Sequence, residues 1–168
     1  MMDRQKTLAS NGVLLSDQRL EFAIYDPRQQ KCVEGRVLVH GEDEAGRNAG
    51  RHYLLLEGTD AKVYLVYYTP ELEESRSRGR LRTNAFIRIQ KQFENGRPVL
   101  EVQDMGDAER ILRNRRHIEE TARSLVKSGV IPIEDGWGGW LGRYQSALSE
   151  AASQAQRATI REGSEVGR

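Results

Sequence analysis

His52-Tyr-Leu-Leu-Leu-Glu-Gly-Thr-Asp-Ala-Lys-Val-Tyr-Leu-Val-Tyr-Tyr68 (HYLLLEGTDAKVYLVYY) is the stretch that decides the fold class. Two aliphatic and aromatic runs, 52–57 and 62–68, flank Gly58-Thr-Asp-Ala61, which has the length and composition of a hairpin connection. The second run is apolar at both parities from Tyr64 to Tyr68, the pattern of a strand covered on both faces.

Working outward from this pair, the same signals recur. LEFAIYD (20–26) alternates and runs into the turn formers Asp26-Pro27. CVEGRVLVH (32–40) carries Val33, Val37 and Val39 on one parity, with Gly35 marking a bulge or a close backbone approach. Beyond a loop rich in Gly, Asp and Glu at 41–50 and the quoted hairpin, FIRIQKQ (86–92) and PVLEVQD (98–104) flank Glu94-Asn-Gly96. Asn-Gly between two such runs is the strongest hairpin signal in the chain. Six short strands in sequence predict an antiparallel β-meander, or a small barrel that removes most exposed edges.

From Asp107 the period becomes helical. Ala108, Ile111, Leu112, Ile118, Ala122, Leu125 and Val126 fall on one stripe, with Asp107 as N-cap and Gly129 and Ile131-Pro132 as the stop. The Gly/Trp-rich turn DGWGGW (135–140) opens a second helix over about 141–158, and a short polar helix is predicted over 3–11. The expected class is therefore α+β, with a β core over about 20–104 followed by a two-helix C-terminal element over about 107–158. Residues 1–150 read as a single module and 157–168 as a flexible tail.

The 168 residues suffice for one compact domain, or for a small domain with a helical appendage. A net charge of +1 argues against a generic polyanion binder, so any basic surface must be local. The single cysteine, Cys32, excludes an internal disulfide and a thiolate metal cluster. No secretory leader and no apolar stretch near the ~20 residues of a membrane span are present, which predicts no membrane insertion and a cytoplasmic location.

His40, His52 and His117 are widely spaced and form neither an HxH nor an HExxH pattern. Gly136-Trp-Gly-Gly139 lacks both the spacing and the lysine of a phosphate loop. Asp43, Glu44, Glu57 and Asp60 read as turn formers and solvated charge in preference to an acidic cluster. No catalytic residue, metal site or cofactor is expected.

Two basic features remain. In Glu74-Ser-Arg-Ser-Arg-Gly-Arg-Leu-Arg82, arginines 76, 78, 80 and 82 alternate; placed between two strands and centred on Gly79, they read as a flexible basic loop. Arg113, Arg116, Arg123 and Lys127 form a ridge beside the apolar stripe. Either set would neutralise phosphates or serve as ordinary solvated surface, since Glu71, Glu73, Glu74, Glu109, Glu119 and Glu120 dilute both. Trp137 and Trp140 would stack on unpaired bases, dock a partner, or fill a seam between helix and barrel.

The features Gly35, Gly41, Asp43-Glu44, Gly50, Tyr53, Glu57-Gly58 and Asp60 carry a family resemblance. Together with the FIRIQKQ hairpin, the RRHIEETARSLV helix and DGWGGW, they make roughly residues 5–150 resemble an uncharacterised module of bacterial relaxases. This module follows the nuclease domain in VirD-like, MobA-like mobilisation nucleases. Ala61 stands where the module has glycine, Tyr64 where it often has histidine, and the loop Ala45–Ala49 is longer. The family's nicking tyrosine and metal-binding histidines belong to a different domain, and nothing here matches them. The resemblance implies a bacterial, non-catalytic accessory domain that holds single-stranded or junction DNA near the nick and is exported with it. Its alternatives are recruitment of the type IV secretion coupling protein or another relaxosome partner, with Arg157, Arg161 and Arg168 in a translocation signal, or a passive spacer.

Overall fold

The computed structural model describes residues 20–44, 46–60, 62–129 and 139–166, with backbone alone over 159–166. The fold is α+β: among the described residues, one open six-stranded mixed sheet and four helices. The chain divides into two compact units, with the boundary after Ala108. The short helix expected over 3–11 lies outside the described residues.

In the sheet unit the strands are β1 (Glu21–Ile24), β2 (Cys32–Glu42), β3 (His52–Gly58), β4 (Lys62–Tyr67), β5 (Ala85–Glu94) and β6 (Arg97–Asp107). Helix α1 (Pro70–Ser77) lies between β4 and β5. All six strands fall where the alternating runs place them. Asn95 and Gly96 take positive φ values of 52° and 77°, the backbone that a tight β5–β6 hairpin requires.

The order β1-β4-β3-β2-β5-β6 is neither a sequential meander nor a closed barrel. Both edges of β2 are occupied, by β3 and by β5, so β1 is carried past them to pair in parallel with β4. Glu21 to Ile24 register on Lys62 to Leu65, and Tyr25 N–H continues the ladder to the Leu65 carbonyl at 2.9 Å. All four residues of β1 are thus committed to β4, and no pairing joins β1 to β6.

The ladder between β2 and β3 slips between Val37 and Val39. Val37 faces Leu56, Val39 faces Leu55 and His40 faces Leu54, so the two valines stand on opposite faces of the sheet. The sequence placed them together because strict alternation cannot anticipate an inserted residue. Gly35 is not at that bulge. It sits where a Cβ would lie 2.2 Å from the Glu57 carbonyl oxygen, so it is a site of close approach.

One face carries the main core: Val33, Val37, Leu54, Leu56, Tyr64, Val66, Ile87, Ile89, Leu100 and Val102 pack with Leu72 and Leu81 from α1 and the turn after it. The other parity is buried as well, at Leu55, Val63, Leu65 and Phe86. Burial of both parities of β4 agrees with its unbroken apolar run. Each such side chain withdrawn from water contributes about 1.5–3 kcal/mol. A half-buried pair, Arg36 and Glu57 at 3.4 Å, and a cross-strand pair, Arg88 and Glu34 at 2.6 Å, link neighbouring strands.

In the helical unit, the single helix expected from Asp107 is two, α2 (Ala108–Arg113) and α3 (Arg115–Lys127). Asn114 interrupts them with φ −86° and ψ 86°, and its side chain caps α3 by accepting from His117 N–H at 3.1 Å. Asp107 ends β6 and does not cap a helix; its carboxylate takes Arg82 at 3.0 Å. Gly129, at φ 75°, follows the end of α3. Helix α4 (Gly139–Val166) extends past the expected end near Ala158, because adding a residue to a helix already nucleated costs little. Helix α3 packs on α4, with Ile118, Ala122, Tyr144, Leu148 and Ala152 buried.

Gly35→Ala tests the close approach. The methyl group would strike the Glu57 backbone, and the expected loss is about 1–3 kcal/mol, read as a lower midpoint in thermal or denaturant unfolding.

Candidate functional site

The expected basic loop begins as a helix. Thr69 is the N-cap of α1, its hydroxyl accepting from Leu72 N–H at 3.4 Å; Pro70 occupies the first turn, with Glu71 and Glu73 beside it. This signal was present in Thr69-Pro70-Glu71 and was outweighed by the arginine alternation. Arg76 and Arg78 therefore belong to the end of a helix, where cations complement the carbonyl dipoles.

Each arginine then has its own surroundings. Arg76 lies 5.5 Å from the centre of the Tyr68 ring. Arg78 pairs with Glu74 at 2.8 Å, one turn back. Arg80 is exposed in the turn, with no carboxylate partner among the described residues. Arg82 bridges Asp104 at 2.6 Å and Asp107 at 3.0 Å, anchoring the turn to β6. The four guanidinium groups share neither a strand face nor a common role.

The helical unit arranges its cations more regularly. Arg116, Glu120, Arg123 and Lys127 recur at helical spacing on the side of α3 opposite Ile118 and Ala122, and all four are exposed. Arg116 pairs with Glu120 at 3.0 Å, and Arg115 with Glu119 at 3.1 Å. Arg123 and Lys127 have no carboxylate partner among the described residues, and neither does Arg113, exposed at the end of α2. An exposed pair such as Arg116–Glu120 is worth about 0–1 kcal/mol, so a phosphate can replace its carboxylate at small cost.

Trp140 is not available to a base or a partner. Only 4% exposed, it stacks on Tyr144 with ring centres 5.3 Å apart and planes 8° from parallel, inside the helical unit. Its size and aromaticity attracted the partner reading; burial removes it. Trp137 lies outside the described residues.

The acidic residues named as a candidate cluster are dispersed as well. Asp43 accepts from Tyr67 at 2.5 Å, Glu57 pairs with Arg36, Asp60 accepts from Tyr64, and Glu44 is exposed. Asp43 and Glu57 flank opposite ends of β3. No group of three or more His, Cys, Asp or Glu residues suited to a metal ion occurs among the described residues.

Spacing in the sequence did hide one polar assembly. The Val37–Val39 slip brings His40 onto the face of Leu54, beside Tyr68, while His52 stands on the adjoining strand. The Tyr68 ring lies between them, 5.8 Å from the His40 ring and 6.3 Å from that of His52. His40 Nε2 is 2.6 Å from the Leu81 carbonyl, which can only accept, so Nε2 carries the proton and Nδ1 accepts from Tyr68. Burial pushes the His40 pKa down, opposed by the Leu81 carbonyl and reinforced by Arg76. Burial also pushes the Tyr68 hydroxyl up to about 12, opposed by Arg76 and reinforced by Glu73. With both ring nitrogens engaged and both groups held neutral, this chain of bonds ties the turn after α1 to the sheet. Nothing in the sequence flagged it, because it depends on a bulge.

Comparison with protein-family models, with curated proteins and with solved structures returned no match to the chain.

The tether gives stability a definite pH dependence. Because the folded state holds His40 below its ordinary value near 6.5, the unfolded chain takes up the proton first as pH falls. Stability should therefore decline as pH drops through about 6.5, and His40→Gln should flatten that slope. Thermal unfolding of both proteins between about pH 7.5 and 5.5 checks this; equal slopes would exclude His40 as the source.

Proposed function

We propose that the chain is a non-catalytic accessory module of the mobilisation-relaxase type, which holds DNA along the exposed side of α3. The observation that carries this reading is the pair Arg123 and Lys127. They are exposed, one helical turn apart, without a carboxylate partner among the described residues, and continuous with Arg116. This side of α3 carries three cations and one carboxylate within a chain whose net charge is only +1, so its positive potential is local. The arginine fork and the lysine ammonium both suit phosphate oxygens.

Arg113 extends the contact from α2. Arg76 and Arg80 could add phosphate contacts of their own, whereas Arg78 and Arg82 are occupied within the sheet unit. The cations meet a sugar–phosphate backbone, which implies little sequence preference. The relaxase context, DNA processing during conjugative or mobilisation transfer, comes from the sequence resemblance.

Binding of the whole chain to a fluorescent single-stranded oligonucleotide across a salt series tests the reading. Four cations in contact, Arg113, Arg116, Arg123 and Lys127, predict a slope of log K against log salt of about −3. The double variant Arg123→Ala/Lys127→Ala should reduce the magnitude of that slope by about 1.4. Affinity that is weak and insensitive to salt in the parent protein would overturn phosphate contact and favour recruitment of a protein partner.

A further inference from the structure

In the sheet unit, the face that carries the main core continues past the core itself. Val33 of β2 and Ile89 of β5 stand opposite each other and are both buried. Two residues further on, Lys91 N–H bonds the Lys31 carbonyl at 2.8 Å, which carries the ladder on and sets Lys31 opposite Lys91. Alternation returns both lysines to the side of Val33 and Ile89. On β5 the same parity brings Phe93 next, 68% exposed, an unusual position for a large apolar ring. The Lys91 ammonium lies 5.3 Å from the centre of that ring, as a shared side requires.

Like charges opposite each other on one sheet face repel. Neither Lys31 nor Lys91 has an ion-pair partner among the described residues. Asp26, whose carboxyl is held below its ordinary value first by Arg28 and least by Lys91, is already bonded to Arg28 at 3.1 and 3.2 Å. Glu71 of α1 shares a groove with Phe93 and Leu100 on the β6 side, so the positive side of the ring is the one toward β2. Glu94, Arg97 and Glu101 fall on the opposite face of the hairpin by register.

We propose that Phe93, Lys31 and Lys91 form a contact for single-stranded nucleic acid, in which an unpaired base stacks on the exposed ring and the two ammonium groups share the phosphate beside it. The phosphate relieves the repulsion between the lysines, and the ring accepts any base, so the contact reads strand form and not sequence. A base stacked within a duplex has no free face to offer. An acidic peptide would satisfy the lysines and leave the ring unused, and one exposed ring is a small anchor for a lipid surface; a nucleotide uses both features. The inference rests on the DNA reading for its class of ligand, but it uses no residue of α2 or α3, so each can fail alone.

The probe is a fluorescein-labelled oligothymidylate titrated into the whole chain, beside an abasic strand of equal length and a duplex. Phe93→Ala is expected to weaken thymidylate binding about tenfold and to leave the other two unchanged, and Phe93→Trp should keep thymidylate affinity. The two lysines add about 1.4 to the magnitude of the salt slope set by the helical cations, and Lys31→Gln/Lys91→Gln removes that share. Circular dichroism establishes that each variant is folded. Arg123→Ala/Lys127→Ala should weaken binding to all three ligands while the Phe93→Ala factor persists on that background, which separates this contact from that of α3. Equal thymidylate affinity in parent and Phe93→Ala would overturn the stacking contact, and so would an equal loss on the abasic strand. Phe93-dependent binding to phosphatidylserine vesicles without an effect on thymidylate would reassign the patch to a lipid surface.

Discussion

Between Val37 and Val39 the ladder of β2 against β3 slips by one residue, and much of the sheet unit depends on that slip. Before it, Val33 and Val37 feed the main core; after it, Val39 passes to the opposite face and His40 takes the core side. His40 then reaches both Tyr68 at the end of β4 and the carbonyl of Leu81 beyond α1. A strand without the slip would turn His40 away from Leu81. The turn would lose its polar anchor, leaving Leu81 and the Arg82 bridge to hold it against the sheet.

The charge pattern follows a similar economy. A chain with 26 basic and 25 acidic residues carries almost no net charge, and in the sheet unit much of that balance is local. Arg36 and Arg88 each close on a carboxylate of a neighbouring strand, and Arg82, in the turn after α1, on one of β6, joining segments distant in sequence. Where the pairing stops, at Arg123 and Lys127 of α3, cations prevail.

Much of the architecture was legible in the residues. The alternating runs located all six strands, Asn95-Gly96 located a hairpin, and the change of period at Asp107 located the helical unit. What escaped was the consequence of competition. β1 could not be assigned to β4 from its own composition, because the choice was made by β3 and β5 occupying both edges of β2. Helix α1 carried a legible start in Thr69-Pro70, obscured by the more conspicuous arginines. Arg116, Arg123 and Lys127 of the expected ridge share α3 because helical spacing alone brings them together, whereas Arg113 falls on α2, beyond the break at Asn114 that the spacing did not reveal.

The sequence by itself determined the local periods: which segments extend, which coil, where the tight turns fall, and that Arg116, Arg123 and Lys127 share a helix side. These follow from steric preferences and hydrophobic spacing acting over a few residues. Tertiary structure alone decided strand order, the burial of Trp140, and which arginines are spent on carboxylates. Those outcomes depend on which distant segment reaches a hydrogen-bonding edge or a charge first, and no local pattern encodes that.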